Sequence, residues 1–147
     1  MLKSKTLQKG FTIVELLIVI VVIGILAGLV LNTFSGVQKR ARDTQRQTDL
    51  NSLATQLEVY YNDNAGYPLL ASINNTTLKG LDSGATMAPG QTTSSMTATG
   101  APTKDQYGYQ TWAADGTTAC ATAPCAKFTL TYLRENDNTV QSKLSLN

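Results

Sequence analysis

The side chains in this sequence that could do chemistry are few, and they stand far apart. Glu15 is a carboxylate inside a run, Phe11 to Leu31, that is otherwise almost wholly apolar. A charge at the centre of such a helix in lipid costs on the order of 3 kcal/mol, and less near an end. A carboxylate placed there needs a positive partner or must reach back to the interface. Cys120 and Cys125 are the only thiols, with Ala-Thr-Ala-Pro between them. A disulfide fits an oxidising compartment, and two free buried thiols are the alternative. A zinc site needs four ligands, and the chain has no histidine. The third group is the cationic run Lys39, Arg40, Arg42 and Arg46. It reads either as a solvated face or as a partner for acids on another copy of the chain. There is no Gly-x-Ser-x-Gly turn, no phosphate loop and no clustered carboxylate pair, so the expectation is no enzyme, no cofactor and no metal.

The elements that carry these residues can be read from pattern. Phe11–Leu31 as a helix is about 30 Å long, the thickness of a bilayer's hydrocarbon core. Within it Gly24 and Gly28 form a small-xxx-small pair that lets helices approach closely in lipid. No proline intervenes up to Asn64, so the helix is expected to continue. From Ser35 it turns amphipathic, with Leu50, Leu53, Ala54, Leu57 and Tyr61 on one face. Gly66, before Tyr67-Pro68, is placed to cap it in the left-handed conformation. Residues 69–106 are small and polar and read as a long surface loop. Beyond it the pattern alternates. Tyr107, Tyr109 and Thr111 share a face; so do Phe128, Leu130 and Tyr132, and then Val140, Ser142, Leu144 and Leu146. Asp115-Gly116 and Asn136-Asp137-Asn138 mark turns. Three or four short antiparallel strands should cover the apolar stripe of the helix, giving an α+β fold.

Charge supports a division near residue 10. Of 12 cations, Lys3, Lys5 and Lys9 precede Phe11 with no acid among them, so a product beginning at Phe11 has 9 cations against 10 anions. Residues 50–147 hold 5 cations and 7 anions, which argues against a DNA-binding face. An ordinary secretory signal peptide has a shorter apolar core of about 7–15 residues, and Glu15 would interrupt it.

A basic leader ending in Gly10, then Phe11, then Glu15 as the fifth residue after the glycine at the head of a long apolar helix, resembles the signal of the type IV prepilins, pseudopilins included. The resemblance implies a leader over residues 1–10, a transmembrane or filament-core helix over 11–34, an amphipathic stalk helix over 35–64, and a head over 65–147. That head holds a variable loop, 69–106, and a C-terminal antiparallel sheet, 107–147. The resemblance further implies that a membrane prepilin peptidase cuts between Gly10 and Phe11 and methylates the new amine of Phe11. Glu15 would then meet such an amine during assembly, and Gly24 and Gly28 would serve helix packing. The expected protein is a single-pass cytoplasmic membrane protein, surrounded by lipid before assembly. Assembly machinery then polymerises it into a homo-oligomeric, extracellular type IV pilus. The alternatives are a pseudopilin of a type II secretion or competence system, or a minor pilin acting as a binding module.

Overall fold

A computed structural model describes residues 10–147, apart from the side chains of Asn32 and Thr33. Lys3, Lys5, Lys9 and the rest of the leader before Gly10 lie outside the described residues. The chain forms two compact units, Met1–Val37 and Gln38–Asn147. One helix, α1 (Ile13–Asn64), contributes to both.

In the first unit α1 is apolar all round. The large apolar side chains from Phe11 to Val37 are 48–87% exposed, so the described residues cover none of them. A helix hydrophobic on every face belongs in lipid or in an assembly of like helices. By length and composition it is able to cross a membrane.

The second unit is an α+β head. The later part of α1 lies on a four-stranded sheet made by β1 (Met96–Thr97), β2 (Tyr107–Trp112), β3 (Lys127–Leu133) and β4 (Val140–Leu144), in the order β1-β2-β3-β4. Leu50, Leu53, Ala54 and Leu57 bury one face of α1 against Tyr107, Tyr109, Phe128 and Leu130. Each of the three leucines contributes about 2 kcal/mol by leaving water. Tyr61 packs at the margin of this core, with its ring 4.8 Å from that of Tyr67.

Several details depart from the sequence reading. The sheet is mixed rather than antiparallel, because β1 pairs in parallel with β2, Met96 opposite Tyr107. β1 comes from the stretch read as a surface loop, which also holds two 3₁₀ turns, Leu70–Ser72 and Ser83–Thr86. That stretch buries Leu78, Leu81, Ala85 and Ala88 in the core. Its small side chains let the backbone lie close to the sheet. Gly108 of β2 makes room for it: a Cβ there would stand 2.0 Å from the Thr99 carbonyl oxygen.

The apolar face of β4 also points the other way. Leu130 opposes Lys143 and Tyr132 opposes Gln141, so the polar residues of β4 share the buried face. Lys143 Nζ donates to Asn51 Oδ1 on α1 (2.7 Å), while Val140 and Leu144 are exposed on the outer face. Alternation alone gives a strand two faces and does not say which one is covered.

The end of α1 is capped one residue earlier than expected. Ala65, not Gly66, is left-handed, with φ 54°, and its N–H donates to the Tyr61 carbonyl. Gly66 is needed for closeness instead: a Cβ there would stand 2.4 Å from Pro124 Cβ. Next to it, Tyr67 and Cys125 exchange both backbone hydrogen bonds (2.8 and 3.0 Å).

Candidate functional site

The N-terminal constellation is built by the first turn of α1. Gly10 and Phe11 are exposed, with Phe11 87% so, and a Cβ on Gly10 would meet nothing within 4 Å. Among the described residues nothing covers the Gly10–Phe11 bond. Thr12 precedes the helix and Glu15 lies in its first turn. Thr12 N–H donates to Glu15 Oε2 (2.9 Å), Thr12 Oγ1 donates to the same oxygen (2.8 Å), and Glu15 N–H donates to Thr12 Oγ1 (3.2 Å). Together these form a capping box, in which two backbone donors of the helix start are satisfied reciprocally.

The acid that seemed to lack a partner in the apolar run therefore has one three residues away. Oε2 takes both Thr12 donors, which leaves Oε1 for a further donor. The spacing Thr-x-x-Glu ahead of an apolar run is itself the sequence signal for this cap, and reading Glu15 as an isolated charge passed over it. Among the described residues, a Cβ built on Gly24 or Gly28 meets nothing within 4 Å.

The cationic run divides in two. Arg42 and Arg46 are committed within their own head, which fits neither a merely solvated face nor partners for acids on another copy. Arg42 Nε and Nη2 grip the Glu135 carboxylate (Nη2 to Oε2 2.6 Å). Arg46, 1% exposed at its side chain, donates to Glu135 Oε1, to Asp43 Oδ1 (2.9 Å) and to the Lys104 carbonyl (2.9 Å). Asp43 also accepts the backbone N–H groups of Glu135 and Asn136. This cluster fastens the β3–β4 turn to α1. The Arg42 hydrogen bonds, opposed by burial and helped by Arg46, hold the Glu135 carboxyl down at about 2. Glu135 lies 93 residues from Arg42, and no local pattern reveals the pairing.

Elsewhere in the head, Tyr107 Oη donates to Asp49 Oδ2 (2.7 Å). Burial raises the Asp49 carboxyl above its usual range, the Tyr107 hydrogen bond opposes that, and the charge of Asp82 adds to it. Cys120 and Cys125 are joined by a disulfide whose loop lies beside Tyr67.

The prokaryotic N-terminal methylation motif matches residues 5–31. The N-terminal region thus carries the methylation motif of prepilins, which supports its resemblance to the type IV prepilins, pseudopilins included. More particularly, the chain is similar to type II secretion system core protein G of several bacteria. It is 39% identical to that of Dickeya chrysanthemi over 61 residues (42% of this chain, 40% of the relative). The values are 38% over 79 residues for Aeromonas hydrophila (54% and 50%) and 38% over 76 residues for Escherichia coli K12 (52% and 48%). The match therefore spans half or less of each relative's length. No solved structure matches the chain. These relatives favour the pseudopilin alternative over the pilus subunit that was the first expectation.

Proposed function

We propose that this chain is a pseudopilin, the membrane-inserted precursor of a subunit of an envelope filament that serves secretion. The observation that carries the reading is the methylation motif set at the head of an apolar helix that none of the described residues covers. Like helices from other copies would supply the cover, with Gly24 and Gly28 allowing close approach. The chain acts as a substrate rather than a catalyst: a prepilin peptidase cuts after Gly10 and methylates the amine of Phe11. The new amine is positive, and Glu15 Oε1 is a carboxylate oxygen with room for one more donor. Opposite charges attract strongly in a low dielectric, though desolvation removes much of the gain, so the pair sets register more than it adds stability.

The test is mass spectrometry of the native protein in separated cell fractions. A peptide beginning at Phe11, abundant in the envelope and absent from filaments sheared off the surface, supports the pseudopilin. The same peptide abundant in the sheared fraction returns the reading to a surface pilus. A protein that still begins at Met1 removes both.

A further inference from the structure

The cationic run leaves two members, Lys39 and Arg40, that the Glu135 cluster does not use. Arg40 lines an open groove of about 370 Å³ in the head, together with Asp43, Gln47, Tyr132, Arg134 and Asn136.

The groove's free hydrogen-bonding groups are mostly donors. Among the described residues, the Arg40 guanidinium, the Tyr132 hydroxyl and the Gln47 amide have no hydrogen-bond partner. Arg134 commits only Nη1, to Asp137 on the surface (3.1 Å). The one acid, Asp43, is already taken: Oδ1 accepts from Arg46 and from the Glu135 N–H, and Oδ2 from the Asn136 N–H. With Asp43 and Glu135 matched by Arg46 and Arg42, the charge left over at the groove is positive. Two guanidinium groups and a phenol suit a phosphate, whose oxygens accept several donors at once.

Position in the chain says where that phosphate comes from. Arg40 follows Val37 by three residues in α1, and Val37 closes the series of exposed large apolar side chains that begins at Phe11. Cations just past an apolar helix stand at the depth of the lipid headgroups, whose anionic members attract them.

We propose that the groove between Arg40 and Arg134 binds the phosphate of an anionic phospholipid headgroup while the subunit is still in the membrane. Lys39 adds to the attraction beside it. Filament entry then requires this phosphate to be released. The site rests on the membrane-inserted form and not on which filament the subunit joins.

The test uses the full chain in nanodiscs of phosphatidylcholine alone or with phosphatidylglycerol added, with retained lipid counted by native mass spectrometry. The expected result is selective retention of phosphatidylglycerol, about fivefold weaker in Arg40→Gln and again in Arg134→Gln. Lys127→Gln, a cation elsewhere in the head, should leave retention unchanged. Unfolding followed by Trp112 fluorescence should not move in Arg40→Gln, because that guanidinium has no partner to lose.

Equal retention by wild type and the double variant overturns the site. So does displacement of the lipid by inorganic phosphate with matching binding of phosphate in phosphatidylcholine alone, which would make it a site for phosphate in solution. Arg40-dependent cross-linking between copies in phosphatidylcholine alone would assign the groove to a carboxylate of a second copy instead.

Discussion

Glu135→Gln tests the account of what holds the head's last turn to α1. The substitution keeps the shape and removes one charge from a cluster in which Arg46, 1% exposed, cannot turn to water. Two routes give its size. The Glu135 carboxyl lies at about 2 against an ordinary 4.5, and its side chain is 12% exposed, so screening is slight. A displacement of that size corresponds to about 3 kcal/mol, at about 1.4 kcal/mol per pH unit. Independently, removing one partner of a buried pair costs about 3–5 kcal/mol. Arg42 is 36% exposed and Arg46 keeps Asp43 and the Lys104 carbonyl, so the lower end applies. Against a domain stability of about 5–15 kcal/mol this is a large fraction. Urea unfolding of the full chain in detergent, read by Trp112 fluorescence, should show the midpoint falling by about 1–3 M at neutral pH.

The pH dependence sharpens the test. A depressed carboxyl stabilises the fold above its unfolded value of 4.5, and that stability is lost as pH falls towards about 2. Wild type should therefore converge on the variant across that window. Asp137→Asn, which breaks an ion pair whose side chains are 43% and 39% exposed, should leave the midpoint nearly unchanged. If Glu135→Gln costs no more than Asp137→Asn, or if the gap to wild type survives at pH 2, the cluster does not hold the turn as argued.

Four further outcomes are expected. Gly66→Ala should destabilise the head by about 1–3 kcal/mol in a thermal melt, because its Cβ meets Pro124 at 2.4 Å. Ala65→Gly should instead stabilise it by up to about 1 kcal/mol, since Ala65 holds φ 54°. Reducing the Cys120–Cys125 bridge, which closes a short loop, should cost about 2 kcal/mol on the chain-entropy account, seen as a lower melting temperature. Tyr107→Phe should raise the Asp49 carboxyl further, as followed by carbon NMR of that side chain, because the lost hydroxyl is the group that favours its ionised form.

What could be read from the sequence was whatever depends on neighbours along it. The apolar run, the stripe from Leu50 to Leu57, the faces of β2 and β3, and the Gly10–Phe11–Glu15 spacing are all local patterns. The Thr12–Glu15 cap is local too, since Thr-x-x-Glu ahead of an apolar run is the pattern of a capping box. Contacts between distant segments were not legible. Glu135 as the counter-ion of Arg42, the parallel pairing of Met96 with Tyr107, and the outward turn of Leu144 all depend on which segments meet. The stretch 69–106 misled for a related reason. Its composition is that of a surface loop, yet a few apolar side chains, Leu78 and Leu81 among them, suffice to seat it in the core.

That seating leaves one place loose by design of the backbone. Ser95 closes a small ring: its hydroxyl accepts the Ala88 N–H (2.8 Å), its own N–H donates to the Thr86 carbonyl (2.9 Å), and its carbonyl accepts from Tyr107 (3.1 Å). Gly90, with φ 88°, turns the chain within the ring, and residues 90–94 all face solvent. Lengthening a closed loop is cheap, about 0.6 kcal/mol for each doubling. An epitope or a fluorophore inserted between Gln91 and Ser94 would thus ride on the subunit without touching its core. This gives a handle for following single molecules through the assembly proposed above.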